Sequence, residues 1–202
     1  MLFKFVSRVI QGFKRQVSSK QLILLLAILM IFSATTSACS KEAPPTLKVT
    51  VMTLSSIAFE EGGKIPVKYT RDGQNISPPL NWSEPPQQTQ VFAIIVDDPD
   101  AAGGAFTHWI LFNIPTSDRE LPEGISTQEQ IENGALQGKN DFGRIGYDGP
   151  SPPKDATHKY RFTIYALDNP LNLNSGASRK QLVDAMSGHI LSKGELLGTY
   201  GH

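Results

Sequence analysis

The chain has 202 residues, enough for one domain with a full core and too few for two comfortable ones. It holds 17 Gly and 14 Pro, mostly outside any helical pattern, which favours strands and loops over helices. Basic and acidic residues balance at 19 each, but residues 1–38 carry five of the basic ones and no acid, leaving 14 against 19 in the remainder. That negative excess argues against a nucleic-acid partner, which demands a basic face.

Lys4, Arg8, Lys14, Arg15 and Lys20 lead into the apolar run Leu22–Phe32, and small residues follow. At about 1.5 Å per residue the run covers roughly 16 Å of a hydrocarbon core about 30 Å thick. It is short for a membrane span and suits an export signal; the other reading is a short transmembrane anchor extended to Ala34 or beyond. Thr36-Ser37-Ala38-Cys39 resembles the lipobox of bacterial lipoproteins, departing at Thr36, where Leu is usual. Cys39 is the only cysteine, so it has no internal disulfide to make. The expected organisation is a signal peptide over 1–38, a lipidated Cys39 with a flexible tether over 39–46, and one domain over 47–202. The expected location is outside the cytoplasm, anchored to a bacterial cell membrane through Cys39.

Within the domain, Leu47–Thr53 alternates apolar and polar residues and predicts a half-buried strand. From Phe59 to Pro86 the pattern is of short extended pieces, with a turn at Asp72-Gly73. Val91–Val96 is apolar throughout, which predicts a central strand covered on both sides. Over Thr107–Ile114, alternation puts His108, Ile110, Phe112 and Ile114 on one face and Thr107, Trp109, Leu111 and Asn113 on the other. Residues 116–157 are mostly loop, with a short helix expected near Ser126–Asn133. Tyr160–Leu167 is the next strand, and His158, Tyr160, Phe162, Ile164 and Ala166 share a face. Ser178 is a natural N-cap for a helix that sets Leu182, Val183 and Met186 on one side and ends at Gly188. Many strands and few helices predict a mainly β antiparallel sandwich with one or two short helices.

If strands 91–97 and 107–114 pair antiparallel through loop 98–106, Asp98 and His108 lie at the same sheet end. A carboxylate beside an imidazole favours the charged ring and raises its pKa above about 6.5. A cationic histidine in a partly apolar concavity is a donor for an anionic ligand. The bland alternative is a core histidine bonded to backbone. Two histidines with one or two carboxylates also suffice for zinc or iron, but the chain has no His-x-His or His-x-x-x-His pair. It has no Gly-x-Ser-x-Gly turn either. The loop Gly146–Pro153, stiffened by proline, suits a preformed pocket rim or a turn braced for stability.

Three blocks carry a family resemblance: DDPDA followed by HWILFNIP, NDFGRIGYDGPSPP followed by HKYRFTIYALD, and LVDAMSGHILSKGELLGTYG. Over roughly Leu47 to Gly201 the chain resembles the phosphatidylethanolamine-binding proteins, and their bacterial Raf kinase inhibitor-like branch in particular. The resemblance implies a Greek-key β-sandwich with a small anion pocket at one end. It assigns ligand binding to Asp98, Asp100, His108, Gly149, Pro150, Pro152, His158 and Tyr160. Ala102 stands where the family usually has Pro, and Asp155 where Gly is usual after Pro-Pro-Lys. The function so implied is non-enzymatic binding of a phosphate-like or phosphoethanolamine-type ligand, without metal or cofactor. Regulation of another protein, as a kinase modulator or protease inhibitor, is implied with it. The alternative is a small metal-dependent or Asp/His hydrolase using the same residues, and a third reading is a structural protein with an incidental pocket. Under the first reading His108, polarised by Asp98 or Asp100, donates to phosphate, and binding weakens as pH rises through the histidine pKa.

Overall fold

A computed structural model describes residues 51–202. Two antiparallel sheets form a mainly β sandwich. Strands β1 (Leu54–Ser55), β2 (Leu80–Trp82) and β5 (Glu120–Leu121) make the smaller sheet, in the order β1-β2-β5. Strands β3 (Val91–Asp98), β4 (Phe106–Pro115), β6 (Leu136–Gln137), β7 (Thr157–Leu167) and β8 (Ile190–Gly201) make the larger, in the order β6-β4-β3-β7-β8.

The larger sheet is covered on both faces, which is why β3 is buried at every position. On one face Phe92, Ile94, Val96, Trp109, Leu111, Phe162 and Ile164 pack against the smaller sheet's Leu54, Leu80, Trp82 and Leu121. On the other, Ala93, Ile95, Ile110 and Phe112 are covered by Leu182 and Met186 of helix α1 (Arg179–Met186). Burying one such large side chain is worth about 1.5–3 kcal/mol, so the two-sided burial of β3 makes it the anchor of the sheet. Val183, expected on the buried side of α1, is 39% exposed.

The Ser178 hydroxyl accepts from the Gln181 N–H at 3.3 Å, and the Gln181 side-chain oxygen accepts from the Ser178 N–H at 2.9 Å. This reciprocal cap satisfies two helix-end donors. Ser178→Ala is expected to lower stability by about 1 kcal/mol, read by denaturant unfolding with an unchanged slope.

The structure corrects several expectations. The alternation along β4 is broken by two bulges. His108 has no partner between the pairs Val96–Trp109 and Asp97–Thr107, and Asn113 has none between Phe92–Ile114 and Ala93–Phe112. Each extra residue flips the rest of the strand to the other face. His108 and Ile114 therefore face the inter-sheet side with Tyr160 and Trp109, rather than sharing a face with Ile110 and Phe112. Asn113 sits at φ 57°, and its side chain exchanges hydrogen bonds of 2.8 and 2.9 Å with the Leu171 main chain.

Second, residues 126–133 form a loop rather than a helix. The Gln137 amide donates to the Ser126 and Gln128 carbonyls at 2.6 and 2.7 Å, and its oxygen accepts from Trp109 Nε1 at 2.7 Å. These bonds take the place of a helical ladder. At the start of the domain, residues 51–53 are not in a strand, and β1 begins at Leu54.

Third, the expected location, exported and anchored to a bacterial membrane, does not stand. Lys48–His202 form one compact unit, and among the described residues no helix is long and apolar enough to cross a membrane. Residues 1–38 and Cys39, on which that expectation rested, lie outside the described residues.

Candidate functional site

The C-terminal end of β3, the start of β4, the start of β7 and the proline-rich loop 149–153 meet at one end of the larger sheet. Between them lies a cavity of about 170 Å³, lined by Asp98, Phe106, His108, Phe142, Pro152 and His158, with Ala101, Ala102, Ser151 and Pro153 completing its wall. That volume suits a head group or small ion and is well below the roughly 300–1,000 Å³ of drug-sized pockets.

Asp98 pairs with His158, not with His108. His158 Nδ1–H donates to Asp98 Oδ2 at 2.7 Å, which leaves Nε2 of His158 for a ligand. The other Asp98 oxygen accepts from the Asp100 N–H at 2.9 Å, closing the Asp-Pro-Asp turn. The Asp100 carboxylate in turn accepts from the Lys159 N–H at 2.8 Å. Asp100 thus ties the β3–β4 turn to β7 and does not line the cavity.

His108 is held by Asp148 through two main-chain contacts. Its Nδ1–H donates to the Asp148 carbonyl at 2.7 Å, and its own carbonyl accepts from the Asp148 N–H at 3.0 Å. Because Nδ1 faces an acceptor it carries the proton, and Nε2 is the ring's remaining polar atom. Tyr160, Phe106 and Phe142 stand edge-on around the ring with centroids 5.2–5.4 Å away.

This enclosure reverses the expected pKa shift of His108. Burial lowers it below the ordinary imidazole value, and the Asp148 carbonyl and the Asp98 charge only partly restore it. The unfolded chain therefore takes up this proton first. The free protein loses stability through His108 as pH falls from about 6.5 toward the lower folded value.

The Tyr160 hydroxyl is buried and has no side-chain hydrogen-bond partner. Burial, followed by the Asp98 charge, pushes its pKa well above the phenol range, so it is a committed donor; the Ser151 main chain lies beside it. Tyr160 does not line the cavity; it packs edge-on against His108, which does.

Gly149 and Pro150 stand behind the cavity wall. Gly149 N–H donates to Asn75 Oδ1 at 2.8 Å, and the Pro150 carbonyl accepts from the Arg71 N–H at 3.0 Å. An added Cβ at Gly149 would lie 2.2 Å from the Tyr69 carbonyl oxygen. Ala102, in place of the proline, lines the mouth, whereas Asp155 adopts φ 64° and does not line the cavity.

Sequence reasoning missed two parts of the site. One is Asp148, a buried carboxylate that accepts from Asn75 at 3.0 Å, Asn140 at 3.0 Å and Arg144 at 2.6 Å. The other is Phe142, whose ring lines the cavity with the Arg71 guanidinium 4.5 Å from its centroid. The signal for both was the polar run Asn140–Asp148, too rich in turn formers to be only a connector. Among the described residues, no group of three or more His, Cys, Asp or Glu side chains converges as a metal-ligand set.

A two-sheet antiparallel sandwich with a small histidine-lined cavity at one sheet end defines a class of small-molecule binding folds. The chain belongs to the phosphatidylethanolamine-binding protein family, whose model matches residues 55–201. It is 45% identical over 149 residues to a UPF0098 protein of Methanothermobacter thermautotrophicus, covering 74% of this chain and 98% of the relative. It is 50% identical over 148 residues to a UPF0098 protein of Pyrococcus horikoshii, covering 72% of this chain and 74% of that one. Among solved structures, Escherichia coli YbcL, described as a member of the mammalian family, superposes with TM-score 0.71 at 30% identity, covering 76% and 99% of the two chains. A Chlamydia trachomatis homologue superposes with TM-score 0.69 at 43% identity, covering 75% and 98%.

Proposed function

We propose that the protein is a non-enzymatic binding protein whose end cavity takes a phosphate-type head group. The observation that carries this reading is a head-group-sized cavity lined by two histidines, His108 and His158, each with its Nδ1 held by the protein and its Nε2 left for a ligand. A phosphate oxygen accepts from the Nε2–H of each ring in its imidazolium form, and the Asp98 carboxylate orients His158 from behind. Asp98 on the wall also offers an acceptor to an ammonium on the same ligand, which favours a zwitterion such as phosphoethanolamine over bare phosphate. Regulation of another protein, implied by the family, would act through occupancy of this cavity.

Calorimetric titration of the full-length protein with phosphoethanolamine tests the reading. His108 is neutral near pH 7, so binding an anion there takes up a proton. Affinity is expected to rise on the order of tenfold between pH 7.5 and 5.5. His108→Ala should flatten this dependence, and His158→Ala should weaken binding about tenfold or more, in line with a charge-assisted bond worth about 1.5–3 kcal/mol. A pH-independent affinity, or one indifferent to both substitutions, counts against the proposal. Hydrolysis of a phosphodiester that depends on His158 would favour the enzymatic alternative, which the Asp98–His158 pair leaves chemically available.

A further inference from the structure

A second and larger concavity shares no lining residue with the first. It measures about 360 Å³ and is bounded by β5 and the loop 122–133. Its floor is apolar: Leu121 and Ile131 belong to the inter-sheet core, and Ile125 packs against them. Its rim holds three carboxylates, Asp118, Glu120 and Glu132, and no basic residue.

None of those charges is cancelled by a cation among the described residues. Asp118 accepts from the neutral Asn133 amide at 2.7 Å and the Ser117 hydroxyl at 3.0 Å. Glu120 accepts from the neutral Asn81 amide at 3.1 Å. Glu132 forms no ion pair or hydrogen bond among the described residues. Arg119, which lies between the first two in sequence, is engaged by Glu84 at 2.8 Å and by the Thr116 and Asp118 carbonyls.

We infer that this groove binds a small amphiphilic organic cation, an aryl- or alkylammonium whose apolar body lies on Leu121, Ile125 and Ile131 while its charge meets Asp118, Glu120 and Glu132. Charge complementarity fixes the sign of the occupant, and the apolar floor fixes its body. A bare metal ion fits poorly, because the three carboxylates do not converge as a ligand set. An anion is repelled by the same rim.

The probe is phenethylammonium, titrated into full-length protein with the methyl groups of Leu121, Ile125 and Ile131 followed by NMR. These methyls are expected to shift saturably, and neutral 2-phenylethanol should bind more weakly. Glu120→Gln and Glu132→Gln, both exposed and safe for folding, should each weaken the cation about two- to fivefold, as expected for partly solvated ion pairs. The alcohol should be indifferent to both. Saturating phosphate, which addresses the other cavity, should leave the titration unchanged. The inference is overturned by equal affinity for amine and alcohol, by insensitivity to both glutamine variants, or by no saturable shift up to about 10 mM, weaker than useful for a ligand of this size.

Discussion

Asp148→Ala lowers stability by about 3 kcal/mol, the expected cost of stranding buried donors that share one acceptor. The carboxylate is almost fully enclosed and receives Asn75, Asn140 and Arg144 at once. The three partners do not matter equally. Arg144 is 53% exposed, so solvent screens its ion pair and the expected contribution is below about 1 kcal/mol. The larger part comes from the Asn140 and Asn75 amides. Asn140 is buried, and Asn75 also holds the Gly149 N–H. At about 2–4 °C per kcal/mol for a chain of this size, the melting temperature falls roughly 6–12 °C. Arg144→Ala is the control and should cost less than a third as much. Equal losses in the two variants would mean that the ion pair, and not the buried amides, is what Asp148 contributes. A functional consequence is expected too, because the Asp148 main chain holds both the ring and the carbonyl of His108. At temperatures where Asp148→Ala is still folded, its phosphoethanolamine affinity should fall while Arg144→Ala binds nearly normally.

The sequence was most legible where one physical rule decided the outcome. The unbroken apolar run of β3 required cover on both faces, and the structure provides a second sheet on one side and α1 on the other. Ser178 at its helix start was equally plain, because few residues cap so well. Alternation failed at His108 and Asn113 because a bulge adds a residue without changing composition. His108 consequently turned toward Tyr160 and lost the partner expected for it. Asp98 was placed at the correct sheet end but against the wrong histidine, since the β3–β7 pairing that brings His158 across is a long-range fact. The sign of the His108 shift was missed for the same reason. Enclosure by Tyr160, Phe106 and Phe142 comes from three separate segments, and spacing reports none of it. The resemblance assigns Gly149 and Pro150 to the ligand site, and their main-chain hydrogen bonds run backwards to Asn75 and Arg71.

That backward attachment makes Gly149→Ala the sharper probe of how the cavity wall is built. The backbone at Gly149 is not in the left-handed region, so alanine meets no conformational penalty there and the cost is purely one of space. The new methyl would lie 2.2 Å from the Tyr69 oxygen and 2.8 Å from the Thr70 Cα, both main-chain atoms with no rotamer to escape into. The two segments must separate, which strains the Gly149–Asn75 bond at 2.8 Å, the Arg71–Pro150 bond at 3.0 Å and the Tyr147 hydroxyl on the Tyr69 carbonyl at 2.7 Å. Overpacking of this kind costs about 3 kcal/mol at its upper range. Tyr147→Phe, which deletes only one of those bonds, should cost about 1 kcal/mol. The binding consequence separates wall from ligand contact. Displacing Ser151, Pro152 and Pro153 enlarges the cavity, and the Gly149 main chain, which helps raise the His108 pKa, moves with them, so affinity should drop about tenfold and its rise should shift to lower pH. A Gly149→Ala protein of normal stability and normal affinity would show that residues 69–70 do not brace the wall.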